Sequence, residues 1–363
     1  MRFFAAGMIV LGHAHGMWGS FGLAINFSLA QGVSFFFVLS GFILAYNYPH
    51  VEHELRKFYR ARVARLWPLH IVAILLVPLI AHTWNLAGLS SGKGAAVIAA
   101  NLILVQSWVP FRVSYLSLNG VAWSISTEAF FYLAFPVAVV CLRKSAALVI
   151  AVAVALVLLF MWAIVRFHVP ISETDAGVTS MGLLYVNPLA RLFEFVLGMV
   201  GCKAFHALRG TPYGGAKAGA TIDEIAVLAL VAASMHLTPR LPLWTFVPAE
   251  WVPVVQYYAE KSGSAPVFAV AIVVFARGRG LVSNALTSRL LVFLGEASFA
   301  LYLTHTTVLF WFEAHPAVAN SAAGPYLFWG ASLALASLLF VFIETPMRRI
   351  IIGKRPSIQP VEV

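Results

Sequence analysis

Apolar residues run in long unbroken blocks along this chain, and polar residues collect between them. The blocks fall near 3–19, 28–46, 67–86, 95–110, 121–142, 146–166, 187–205, 222–238, 264–277, 291–313 and 325–344. A bilayer's hydrocarbon core is about 30 Å thick and takes roughly 20 apolar residues per helical crossing. The run from Ala146 to Val165 meets that length without a single charge. Strands of an outer-membrane barrel would read instead as short segments of alternating polarity. The pattern predicts an all-α integral membrane protein.

The basic residues decide how the blocks thread. If all eleven cross from a cytoplasmic N-terminus, Lys and Arg divide ten inside to thirteen outside, with Arg191 left in a span. Cytoplasmic loops ordinarily carry the excess. If 95–110 enters and leaves on one face, eighteen fall inside: Arg2, Arg56, Lys57, Arg60, Arg62, Arg65, Arg143, Lys144, Lys203, Arg209, Lys217, Arg277, Arg279, Arg289, Arg348, Arg349, Lys354 and Arg355. Five remain outside: Lys93, Arg112, Arg166, Arg240 and Lys261. The expected topology is therefore about ten transmembrane helices plus a re-entrant segment, both termini cytoplasmic. Irregular backbone at membrane depth survives only where protein or a wet cavity shelters it, so the 95–118 region should border a cavity. One transmembrane domain, 1–346, is followed by a short basic cytoplasmic tail, 347–363. The Gly- and Ala-rich stretch 210–219 is expected to be a flexible inner connector. No internal repeat is evident.

Composition agrees. Of 363 residues 61% are hydrophobic and 10% charged, against about a quarter charged in soluble domains. Topology accounts for the net charge of +10, and with no basic domain outside the spans no nucleic-acid partner is expected. Cys141 and Cys202 sit in or beside apolar blocks and read as small hydrophobes; no disulfide framework or metal motif is legible. No separate signal peptide is expected, because the first block begins at once and carries histidines. So little chain precedes Arg2 that a longer natural N-terminus is expected.

Polar groups inside the blocks are the candidates for chemistry, since an ionisable side chain at membrane depth is costly unless paired or facing a cavity. Arg2 and His13 are eleven residues apart, about 20° beyond three turns and roughly 16 Å along a helix, so they share a face. In the expected topology His13 lies toward the outer leaflet. Glu128, in Trp123-Ser124-Ile125-Ser126-Thr127-Glu128, lies at similar depth. A carboxylate meeting an imidazole can fix its tautomer and make it a base. The alternative for Glu128 is a structural ion pair. Arg60, Arg62 and Arg65 lead into the third span, with Arg62 and Arg65 on one helical face, where guanidinium forks suit phosphate; the alternative is an orienting cluster that meets anionic lipid. Arg191 and Glu194 can neutralise each other at i, i+3, and structural pairing is favoured there over catalysis. His305 and Tyr302 could line the same cavity, and Ser40 beside Gly41 marks a close helix contact.

Together these pieces resemble the acyltransferase-3 family of membrane-bound O-acyltransferases over nearly the whole chain. The resemblance rests on Arg2 with His13, Phe36-Phe37-Val38-Leu39-Ser40-Gly41, the Arg62–Arg65 pair, Trp123 to Glu128 with Phe131-Tyr132-Leu133, and Arg191 to Gly198. Leu294-Gly295-Glu296-Ala297-Ser298 with Tyr302 and His305, and Glu344-Thr345-Pro346 with Arg349, complete it. It implies a multi-pass protein of the cell inner (cytoplasmic) membrane that uses acyl-CoA, commonly acetyl-CoA, as a co-substrate, with no permanently bound cofactor. The implied acceptor is a saccharide or glycoside hydroxyl, the implied roles are catalysis for His13 and donor binding for the basic inner loop, and no SGNH-type extracytoplasmic domain is expected. Any complete transfer then falls to the membrane domain or is finished by a partner extracytoplasmic acyltransferase. In the expected mechanism acyl-CoA phosphates rest on Arg62, Arg65 and Arg60 or Arg2, and His13, oriented by Glu128, deprotonates the acceptor; a transient acyl-histidine is the variant. Ser126 joins Ser40, Arg191, Glu194, Tyr302 and His305 as a polar cavity or packing residue. The rival from another class is a transporter or flippase using the same buried charges, and the third reading is an inactive scaffold.

Overall fold

The computed structural model describes residues 1–19, 27–81, 92–208 and 217–353. The expected connector 210–219 lies mostly outside these residues, and so does the end of the basic tail with Lys354 and Arg355. The described residues form helices and turns; the one extended pairing among them is an isolated antiparallel bridge, Phe111 with Val178. The principal helices are α1 (Arg2–Trp18), α2 (Gly32–Asn47), α3 (Leu55–Ala81), α4 (Gly92–Leu102), α5 (Trp123–Lys144), α6 (Ala146–Arg166) and α7 (Leu192–Leu208). They continue with α8 (Lys217–Leu237), α9 (Val252–Ser262), α10 (Ala265–Ala276), α11 (Arg289–Ala314), α12 (Gly324–Leu339) and α13 (Thr345–Ile352).

Among the described residues seven segments are long and apolar enough to cross a membrane: Leu29–Asn47, Leu55–Ile80, Gly120–Lys144, Ala146–Arg166, Lys217–Arg240, Val252–Ala276 and Gly324–Ile352. This is a multi-pass membrane protein. Three further helices, α1, α7 and the 26-residue α11, pack at the centre: α1 against α11 and α2, α7 against α2 and α10, and α11 against α3 and α12 as well. Lipid-facing side chains such as Leu79, Leu133, Val137 and Phe342 are exposed. The core is polar where the central helices meet: Ser298, Thr304, His305 and Thr307 of α11 are fully buried.

The segment expected to be re-entrant is not one crossing helix. α4 has 11 residues, roughly 16 Å and half the hydrocarbon thickness. Beyond it Leu104 takes a left-handed φ of 60° and the chain turns into a short 3-10 helix, Gln106–Trp108. Side-chain amides in and beside this segment tether it to its surroundings. Asn101 Nδ2 donates to Ser117 Oγ at 2.7 Å, Gln106 Nε2 to the Ala122 carbonyl at 3.1 Å, and Asn119 Nδ2 to the Leu303 carbonyl at 2.8 Å. Shelter within the protein is what permits irregular backbone at this depth.

The basic cluster is not a loop before the third span, because Arg56 to Arg65 form the first three turns of α3 itself. α2 and α7 touch backbone to backbone. A Cβ on Gly41 would stand 1.9 Å from the Phe195 carbonyl oxygen, and one on Gly198 would stand 1.8 Å from that of Val38. Small residues let membrane helices approach in this way, which gives the Ser40-Gly41 pair its physical meaning. Gly41→Val or Gly198→Val should force the helices apart at a cost of about 3 kcal/mol or more; a markedly lower melting temperature in detergent, beside an unchanged Gly295→Ala control whose Cβ would meet nothing within 4 Å, checks this.

Candidate active site

Polar side chains line two cavities, and along each of four helices, α1, α2, α5 and α11, the lining passes from one cavity to the other. The first cavity, about 100 Å³, is lined by Arg2 of α1, Ser40 of α2, Arg62 and Arg65 of α3, Glu128 and Tyr132 of α5, and Ser298 of α11. The second, about 530 Å³, is lined by His13 and His15 of α1, Trp123 of α5, Thr306 of α11, and Tyr185, Glu173, Glu260 and Lys261. Leu116, just beyond the broken segment, also borders it, as expected for 95–118. Val33 and Tyr302 line both cavities. Tyr302 is held between them: its hydroxyl lies 2.7 Å from Ser124 Oγ and donates to the Val121 carbonyl at 3.0 Å.

His13 Nδ1 lies 2.8 Å from His305 Nε2, across α1 and α11. The proton positions follow from chemistry. His305 Nδ1 is 2.7 Å from the Tyr302 carbonyl oxygen and 3.2 Å from that of Leu301. A carbonyl can only accept, so His305 carries its proton on Nδ1 and offers the Nε2 lone pair. His13 must then donate from Nδ1, and its Nε2 keeps a free lone pair toward the second cavity. His305 is fully buried and cannot reorient freely, whereas His13 is exposed to the cavity.

The expected His13–Glu128 contact does not form among the described residues. Glu128 Oε1 accepts from Tyr132 Oη at 2.5 Å and Ser40 Oγ at 3.3 Å, and it faces the arginine cavity. The reason lies in the helices: α5 presents Trp123 to the histidine cavity, and Glu128, more than a turn further on, falls beyond the Tyr302 partition. The imidazole partner of His13 is a second imidazole from another helix, a juxtaposition that spacing within one helix cannot reveal.

In the arginine cavity, Arg62 is caged by aromatic rings, with its guanidinium carbon 5.3 Å from Tyr48, 5.7 Å from Phe58 and 5.4 Å from Tyr132, and Nη2 donates to Tyr48 Oη at 3.3 Å. Arg65 pairs with buried Glu344, sits 4.8 Å over Phe299, and shares Glu344 with Arg348 at 3.8 Å. Glu344 ends a π-helical stretch, Phe340–Glu344, and this pairing accounts for the Glu344-Thr345-Pro346 motif. Arg2 makes no hydrogen bond or ion pair among the described residues. Arg2, Arg62, Arg65 and Arg348 stand near three carboxylates, Glu128, Glu296 and Glu344, so the cavity and its margin carry a small surplus of positive charge.

Two expected residues lie elsewhere. Arg60 is on the outer surface of α3, donating to the Ile351 carbonyl beside Lys57, and the structure separates it from the other arginines. Ser126 lines neither cavity; its hydroxyl donates to the Leu104 carbonyl at 2.7 Å and meets Ser107 Oγ at 2.7 Å, so it pins the broken segment. Arg191 and Glu194 are both fully buried and pair at 3.1 Å, with Arg191 also donating to Ser34 Oγ at 2.9 Å and Ser262 Oγ at 2.5 Å and lying 5.2 Å over Phe37 and Tyr185. This is the structural ion pair favoured from spacing. Lys261, bonded to Glu173 at 2.7 Å and to its neighbour Glu260 at 3.2 Å, was not anticipated, because Glu173 is remote in sequence. Among the described residues no group of three His, Cys, Asp or Glu is placed to hold a metal.

A membrane bundle with an oriented imidazole on one side of a tyrosine partition and a cationic cavity on the other has the parts of a group-transfer enzyme acting between an anionic donor and a second substrate. The family model described as an acyltransferase domain, of the acyltransferase-3 type, matches residues 1–344. The chain belongs to that family, and it is an acyltransferase rather than a transporter. It is similar to acyltransferase MdmB of Streptomyces mycarofaciens, 29% identical over 347 residues that cover 89% of this chain and 82% of that protein. No solved structure matches it.

Breaking the buried pair should be severe, since it strands a charge: Arg191→Met is expected to cost about 3–5 kcal/mol. A joint Arg191→Met, Glu194→Leu variant should recover part of that loss, as read from melting temperatures in detergent.

Proposed function

We propose that the protein is an O-acyltransferase of the cell inner membrane that moves an acyl group, commonly acetyl, from acyl-CoA to a hydroxyl of a saccharide or glycoside. The topology proposed with it has ten crossings, one broken segment and both termini in the cytoplasm, which puts the arginine cavity on the donor side and the histidine cavity on the acceptor side. The observation that carries the reading is the end-to-end arrangement of the two cavities along α1. Arg2 and His13 are roughly 16 Å apart along that helix. The arm of coenzyme A between its diphosphate and its sulfur spans about thirteen covalent bonds, roughly 16 Å when extended. A donor whose phosphates rest on Arg2 and Arg62 therefore brings its thioester to the level of His13 once the Tyr302 side chain gives way.

His13 Nε2 then accepts the proton of the acceptor hydroxyl as that oxygen attacks the thioester carbonyl. The tetrahedral adduct collapses with cleavage of the carbon–sulfur bond, and the departing thiolate takes up the proton from His13. His305 acts through His13 as a positioning residue, because its fixed Nδ1–H···O=C bond dictates the tautomer that leaves Nε2 basic. Glu128 serves the donor side, offsetting arginine charge and holding Tyr132. Proximity supplies much of the acceleration, since both substrates are brought to one imidazole from opposite ends. The acyl-histidine variant uses the same Nε2 lone pair as nucleophile.

His13→Ala in nanodiscs should lose about 10²-fold or more of its transfer from radiolabelled acetyl-CoA into an extract of host glycans; near-normal transfer would remove His13 from the mechanism. His305→Ala should lower kcat by at least about tenfold with little change in either KM. For the donor site, Arg62→Ala and Arg2→Ala are cleaner probes than any change at Arg65, whose loss strands Glu344. Each should raise the KM for acetyl-CoA far more than that for acceptor, and an unchanged donor KM would sink the phosphate assignment.

A further inference from the structure

A third cavity, of about 510 Å³, opens between α2, α7 and α10 and is walled by Phe42 and Tyr46 of α2, Phe205 of α7, Phe275 of α10, and Arg277 and Arg279 just beyond α10. Leu39 and Ile43 line both this cavity and the arginine cavity, and Met1 borders it where Arg2 borders the other. The two spaces therefore adjoin across one wall of α2. Three rings form that wall: Tyr46 lies 6° from the plane of Phe42 at 6.4 Å, and Phe205 stands edge-on to Tyr46 at 64° and 6.0 Å. The lining holds two arginines and no carboxylate, and Arg279 is exposed at the rim.

We infer that this cavity is the nucleotide subsite of the donor: the adenine packs against the Tyr46 ring with Phe205 at its edge and the 3′-phosphate of the adenosine bisphosphate rests on Arg277 and Arg279, while the diphosphate turns past Met1 to Arg2 and Arg62. The inference rests on the acyl-CoA reading above. Three features select a nucleotide over a lipid headgroup, which shares the phosphate chemistry. The cavity adjoins the arginine cavity, so a ligand can extend from one to the other. Its wall presents ring faces suited to stacking a base. Its cations sit at one end of that wall, as a phosphorylated ribose requires, and guanidinium forks grip phosphate in two-point contacts.

The test uses the full chain in nanodiscs of neutral lipid, with two donors that differ only in the nucleotide, acetyl-CoA and acetyl-pantetheine. Arg277→Ala with Arg279→Ala, and separately Tyr46→Leu, should each raise the KM for acetyl-CoA tenfold or more and leave acetyl-pantetheine kinetics unchanged. Adenosine 3′,5′-bisphosphate should bind the wild-type protein saturably and bind the double variant at least tenfold more weakly. Arg279→Glu, a change at an exposed position that the fold tolerates, should reproduce the loss of bisphosphate binding. Equal effects on both donors, or bisphosphate binding that survives in the double variant, would overturn the subsite. So would stabilisation of the wild type, but not the double variant, by phosphatidylglycerol with no bisphosphate binding, which would make this a lipid site. Acetyl-CoA use that resists these changes yet fails in Arg2→Ala and Arg62→Ala would end this inference while leaving the donor reading intact. If neither donor is used and no coenzyme A binds, both fall together.

Discussion

A charge inside a membrane bundle must find an opposite charge, a set of dipoles, or water. That requirement sorts the buried polar groups of this protein into two kinds. Arg191 with Glu194, and Arg65 with Glu344, close on themselves and bind helices together. Arg2, the ring-caged Arg62 and the free edge of His13 close on nothing charged, so each must face a cavity. The fold keeps them because the cavities are there. Sites of chemistry in such a bundle are the places where electrostatic closure is withheld.

Much of this could be read before the chain was folded. Block lengths and the distribution of Lys and Arg pointed to a polytopic bundle with a broken segment at 95–110, and α4 with its turn at Leu104 has that character. The shared face of Arg2 and His13 follows from helical geometry alone, as does the Arg191–Glu194 pair. Contacts between helices were out of reach. His13 and His305 are separated by 292 positions, and no periodicity within either helix says that they will meet. The same holds for Glu344 with Arg65. Glu128 was matched to His13 on depth, but depth along a helix axis leaves the rotation about that axis and the intervening side chains unspecified. Ser126, expected as a cavity or packing residue, takes the packing role, and which of the two it would take was unreadable because its neighbour is the irregular segment, whose path no periodic pattern describes.

The exchange of Glu128 for His305 alters the chemistry and not only the geometry. A carboxylate beside His13 would stabilise an imidazolium strongly and hold it charged. A neutral imidazole anchored to a backbone carbonyl fixes the same tautomer with less bias toward the charged state, which in the proposed reaction lets His13 both take a proton and return it to a departing thiolate. The carboxylate sits instead among the arginines, where it moderates a charge that would otherwise be all of one sign. Each cavity thereby has an electrostatic character of its own: cationic around Arg2 and Arg62, and mixed around His13, where Lys261 is flanked by Glu173 and Glu260.

Tyr302 matters because a thioester can be lost to water as readily as to a hydroxyl. Were the two cavities one open channel, the larger, wetter space beside His13 would bring bulk water to the donor before any acceptor arrived, and an imidazole poised as a base activates water as well as it activates an alcohol. A tyrosine latched to Ser124 and to the Val121 carbonyl closes that path with bonds that a single side-chain rotation can exchange. Exclusion of water is a recognised contribution of closed active sites, and here it is placed at the one level where donor and acceptor spaces meet. In the proposed reaction, the residue that divides the cavities therefore favours transfer over hydrolysis by keeping water from the thioester.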